Sequence, residues 1–325
     1  MQPASQKSRL NRALPLLILL LSLTRTNATA QDTDIFELSV FENSPGDTIG
    51  FVSLSEILRY SEHPDSTFLP DLSELPQDSA RSYERIVLTG PLRKQMLQEN
   101  GIAANELVFV YEYAKNILFS YPVKDLLLVA HLSPYVYEWP YHAEDNMLGF
   151  EFTQKQLHGL AYLDEHALVT LGKRHPFEQG KMHNLVWSPI APELFPKNKI
   201  TSAPLTPYNA NPYKFDDAHT ATLDSLVFYT RELKTDDEIV GKHLVIQHRT
   251  TQQKLFEHTY LNGESTQLAE PDYQYAGILF KNQPPVIMGF TWESFGCPII
   301  QSIAPDKKTV VVRCDNRHWE WVEIL

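Results

Sequence analysis

The chain has 325 residues, 43% of them hydrophobic, enough to bury one large or two ordinary cores. Its 28 Lys and Arg stand against 40 Asp and Glu, a net charge of -12, which opposes binding to nucleic-acid phosphates or anionic lipid headgroups. No run of five basic residues occurs, so nucleic acid is not expected as a partner.

The first thirty residues read as a cleavable secretory signal. Lys7, Arg9 and Arg12 form a positive n-region, Ala13 to Leu23 is an apolar run, and Ala28-Thr29-Ala30 is a small-x-small cleavage site. The run is eleven residues long, where a spanning helix needs roughly 17–25. The competing reading is an uncleaved N-terminal anchor, and Arg25 and the cleavage site argue against it. No later apolar stretch is long enough to span a bilayer, so no membrane span is expected after cleavage. Residues 31–325 would then hold 24 basic and 40 acidic side chains, a net of -16. The expected location is periplasmic or extracellular. In such an oxidising compartment Cys297 and Cys314 are expected to form one structural disulfide, since they lack the C-x-x-C spacing of a reactive pair.

Period-two alternation predicts strands over Ile35–Phe41 and Ile49–Val52, joined by the Ser44-Pro45-Gly46-Asp47 turn. Ser53 to Tyr60 reads as a short helix, with Ser53 as N-cap and Glu56 at the capping-box position. Three prolines in 61–82 mark a loop. After a strand at Ile86–Leu88, Thr89, Gly90 and Pro91 start the clearest helix and Gly101 ends it. Leu107–Tyr113, Ile117–Tyr121 and Leu126–Leu132 are spaced as a three-stranded meander. Further strands are expected at Tyr135–Tyr141, Met147–Phe152 and Ala167–Leu171, while 154–166 is ambiguous between helix and loop.

Residues 188–220 carry six prolines among Asn, Thr, Ser and Lys and read as a linker, with a domain boundary near 205. Beyond it, strands are expected at Leu223–Thr230, His243–Arg249, Lys254–Tyr260, Tyr275–Phe280, Val286–Trp292 and Thr309–Arg313. The expected fold is mainly β: two β-sandwich- or barrel-like domains, with one or two short helices in the first. The divisions are 1–30 signal, 31–190 first domain, 191–220 proline-rich linker and 221–325 second domain.

No G-x-S-x-G elbow, H-E-x-x-H, P-loop or G-x-G-x-x-G is present, so no catalytic residue, metal or cofactor is expected. Two segments concentrate aromatic and charged groups. Tyr135 to Asp145 (YVYEWPYHAED) offers Trp139, Tyr141 and His142 beside Glu138 and Glu144. Trp292 to Cys297 and Cys314 to Trp321 would be joined by the disulfide, which gathers Glu293, Asp315, Arg317 and His318. Both also read as ordinary strand and turn. The expected function is a non-enzymatic, exported binding protein, inhibitor- or immunity-like, with a protein or glycan partner in the cell envelope. The alternative is a hydrolase of envelope polysaccharide or ester using carboxylates such as Glu138 and Glu144; for a glycan it requires two carboxyls about 5–5.5 Å apart if retaining or about 6.5–9.5 Å apart if inverting.

Overall fold

Alternating apolar and polar residues give each strand one face to bury, and strands of this kind become stable only when two sheets cover each other. The computed structural model describes residues 34–44, 47–56, 84–133, 146–158, 166–197, 214–235, 238–261, 266–268, 273–293, 297–304, 306 and 308–313. These residues are mainly β, arranged in four sheets with one α-helix among them.

The first half contains β1 (Phe36–Glu37), β2 (Ser39–Ser44), β3 (Asp47–Glu56), β4 (Arg85–Val87), α1 (Gly90–Glu99) and β5 (Leu107–Glu112). It continues with β6 (Ile117–Pro122), β7 (Leu127–Leu132), β8 (Asn146–Thr153) and β9 (Ala167–Gly172). One sheet has the order β1-β9-β5-β6 and the other β2-β3-β8-β7-β4, with antiparallel neighbours throughout. Val108, Val110 and Val169 of the first sheet face Val52, Leu128, Leu148 and Phe150 of the second in one core, to which α1 adds Met96 and Leu97. That helix ends as expected. Gly101 at φ 67° lets Ile102 N–H reach Leu97 O (2.8 Å) and its own N–H reach Gln98 O (3.1 Å).

Two expectations fail here. Ser53 to Glu56 continue β3 instead of starting a helix, pairing with Gly149, Leu148 and Met147 across a register shift. The ladder with β8 satisfies their backbone groups and buries Leu54, which outweighs a local capping pattern; residues 57–60 lie outside the described ones. The meander also breaks. β5 and β6 form a hairpin, but a 3-10 turn at Val123–Asp125, anchored by Val123 N–H to Glu106 O (3.0 Å), sends β7 to the other sheet. The expected strand Tyr135–Tyr141 and loop 61–82 fall outside the described residues.

The second half contains β10 (Met182–Asn184), β11 (Ser188–Ile190), β12 (Lys214–Leu223), β13 (Leu226–Thr235), β14 (Glu238–His248) and β15 (Lys254–Leu261). After them come β16 (Thr266–Leu268), β17 (Tyr275–Gly277), β18 (Val286–Glu293), β19 (Cys297–Ser302) and β20 (Thr309–Val311). Strands β11 to β15 form one sheet in chain order; β10-β17-β18-β19-β20 form another, with β16 also on β18. Phe228, Leu244, Ile246 and Phe256 pack against Ala276, Ile287, Phe290 and Ile303 between them.

The expected strand Leu223–Thr230 is divided by a tight turn at Asp224 (φ 50°), and the strand at Cys297–Ser302 was not foreseen behind its proline. The proline-rich stretch is structured at both described ends. Ser188–Ile190 is an edge strand on β12, where Pro189 is tolerated, and Lys214–Thr220 belongs to β12 itself. The boundary near 205 lies outside the described residues.

The outer face of β5 is buried by the second half. Tyr111 packs on Phe177 at 5.0 Å and Tyr113 on Tyr275 at 5.0 Å, and Tyr111 Oη accepts the Gly180 N–H at 3.2 Å. Arg313 exchanges backbone hydrogen bonds with Ile35 and Glu37, tying the segment after β20 to β1. Residues 33–325 form one compact unit. Among the described residues no helix is long and apolar enough to cross a membrane.

Candidate functional site

Charged side chains on the inward face of a strand are costly, so those that are buried show where the sheet faces away from the sandwich cores are used. Two such clusters stand out, one on each outer sheet.

In the first half, Leu128, Ala130, Leu148 and Phe150 point into the core, so His131 and Glu151 point away from it. Both are nonetheless only 4% exposed. Arg85 on β4 grips Glu151 with two parallel bonds, Nε to Oε2 and Nη2 to Oε1, both 2.7 Å. His131 Nε2 donates to Glu151 Oε2 at 3.0 Å and stands edge-on to Phe51. Burial pushes the Glu151 carboxyl up, but the hydrogen bonds and positive charge of its partners outweigh it and hold the group at about 2. Gly149 lies between the strand positions of Met147 and Glu151. A Cβ there would sit 1.8 Å from the Val52 carbonyl oxygen, so only glycine lets β3 and β8 close beneath the cluster.

In the second half, Phe228, Leu244 and Phe256 point inward and Arg231, His243 and Glu257 outward. His243 has no exposed surface. Arg231 Nε–H donates to His243 Nδ1 at 3.2 Å, so the imidazole is neutral with its proton on Nε2, which donates to Glu257 Oε1 at 3.2 Å. Glu257 also takes a bond from Lys254 at 2.5 Å. The Arg231 guanidinium carbon stands 4.3 Å from the Phe195 ring centre and 3.3 Å from that of Phe215. Burial and the Arg231 charge lower His243 to about 4 despite Glu257.

Comparison with protein-family models, curated proteins and solved structures finds no match.

Chemically, both clusters are turned on themselves. A general acid working near neutrality needs a pKa near the ambient pH, and a carboxyl held at about 2 is a fixed anion instead. Among the described residues no three His, Cys, Asp or Glu side chains gather as a metal site.

Trp139, Tyr141, His142, Glu138, Glu144, Cys314, Asp315, Arg317 and His318 lie outside the described residues. The backbone of Glu293 and Cys297 is described, and the two pair across the β18–β19 connection. Ladder partners Leu132 and Asn146 define the ends of the β7–β8 hairpin, so the aromatic segment 135–145 falls within the connection between these strands. Sequence reading missed both ionic clusters because their members are far apart, Arg85 and Glu151 by 66 positions. The available signal was a lone polar residue inside an apolar strand, as His131 in LLVAHL.

Proposed function

We propose that the protein is exported and acts as a binding protein in the cell envelope or outside the cell, engaging a basic protein partner. The observation that carries this reading is the β7–β8 connection, which concentrates Tyr135, Tyr137, Trp139 and Tyr141 with Glu138, Glu144 and Asp145 between two paired strands. Connections mounted on rigid sheets are where recognition residues gather, and aromatic side chains supply contact area at low entropic cost. The net of -16 over residues 31–325 supplies the complementary charge.

Export is supported by the leader-like residues 1–30. The Cys297–Cys314 disulfide belongs to the same reading. Val312 N–H bonds Pro298 O at 3.3 Å, and continuing that register sets Cys297 opposite Arg313, the residue before Cys314. Thiol labelling of the secreted protein with and without reductant tests the bond: neither cysteine should label until reduced.

The function is tested by capturing partners of the mature protein from envelope extract, then measuring affinity for the purified partner at rising salt. Binding should weaken at least tenfold between low and high salt and be lost in Trp139→Ala. A salt-indifferent complex contradicts the reading. So does turnover of envelope glycans, esters or peptides that one substitution abolishes.

A further inference from the structure

The outer face of the β11–β15 sheet holds an arrangement that depends on one proton. Phe195, in the segment after β11, is 5% exposed and packs with Ala218 and Val245 on that face. Its ring lies 5.3 Å from His243 and forms one side of the slot that holds Arg231; Phe215 of β12 forms the other. The slot fixes the guanidinium in position, and His243 Nδ1 accepts its Nε–H. The segment 191–195 is therefore joined to the sheet by the packing of Phe195 on Ala218 and Val245 and by a cation held by a neutral imidazole.

We propose that this face is an acid-released clamp, in which protonation of His243 ejects Arg231 from between Phe195 and Phe215 and frees the 191–197 segment from the sheet. A proton taken from solvent would occupy Nδ1, the lone pair that Arg231 now uses. Two donors would then face each other at 3.2 Å with no acceptor between them, and two cations would be neighbours. Among the described residues, the charged groups that act on His243 include Arg231 from β13 and Lys254 and Glu257 from β15. Glu257 favours the imidazolium but is shared with Lys254 at 2.5 Å, so it offsets only one of the two cations. The ring's depressed pKa of about 4 sets where the clamp opens. The device is a property of the fold and stands apart from the export reading.

The test is amide hydrogen exchange of the full chain at pH 7 and pH 4, corrected for intrinsic exchange chemistry. Exchange in 190–197 should rise at least tenfold at pH 4 while β5 and β9 stay protected. His243→Gln keeps an acceptor for Arg231 and a donor for Glu257 without titrating, so its 190–197 segment should stay protected at pH 4. Should that variant misfold, Phe215→Leu, which removes one wall of the slot at an exposed position, should open at a higher pH than the parent. Flat exchange in the parent between the two pH values overturns the clamp. So does an equal rise in His243→Gln, an unshifted Phe215→Leu, or a rise shared by β5 and β9.

Discussion

Each half of the molecule sets an arginine, a histidine and a glutamate on the outward face of an outer sheet, yet the arginine chooses differently. Arg85 grips the carboxylate of Glu151, and His131 donates to the same anion. Arg231 donates to the imidazole of His243, and the carboxylate of Glu257 is shared between His243 and Lys254. In the first cluster the cation stabilises a charge; in the second it forbids one. The same three residue types therefore yield an anion locked on and an imidazole locked neutral, and the two regions respond to acid at different points.

The largest difference is expected on removing the arginines. Arg85→Met leaves Glu151 buried with its fork gone and should cost about 3–5 kcal/mol in chemical denaturation. A cost below about 1 kcal/mol would mean the fork contributes no more than a surface pair.

Acid separates the clusters next. Glu151 sits at about 2 in the fold against an ordinary 4.5, so its stabilisation is complete above pH 4.5 and lost as pH falls toward 2. His243 sits at about 4 against 6.5; the unfolded chain binds the proton more readily, so stability is complete above pH 6.5 and lost as pH falls to 4. Each window carries at most about 3 kcal/mol. Denaturation midpoints across pH 7 to 3 should therefore fall first through the His243 window, and His243→Gln should flatten that part of the curve alone.

Arg231→Met should cost less than Arg85→Met, about 1–2 kcal/mol, because it strands a neutral ring and two phenyl faces and not a charge. It should also move the His243 midpoint upward, visible by imidazole NMR. Gly101→Ala serves as a control: at φ 67° it should cost about 1 kcal/mol and leave both acid windows in place.

How much of this was legible depended on whether the signal was local. The strands Leu107–Glu112 and Met147–Phe152 announce themselves by composition, and α1 by Pro91 and Gly101. Which sheet a strand joins did not, because the 3-10 turn at Val123–Asp125 redirects β7 through a backbone bond to Glu106. Ser53 carried a helix cap pattern that its ladder with Gly149 overruled. Prolines in 188–220 suggested a linker, but an edge strand accepts Pro189 without loss. The ionic clusters were hidden for the same reason: each charge is unremarkable on its own strand, and only pairing brings them together.

One titration decides between these two environments. Carbon-13 NMR of the folded protein, labelled at histidine rings and glutamate carboxyls, should place the His243 midpoint near 4 and that of Glu151 near 2. A His243 midpoint at or above the ordinary 6.5, or a Glu151 midpoint at the ordinary 4.5, would contradict the opposite roles assigned to Arg231 and Arg85.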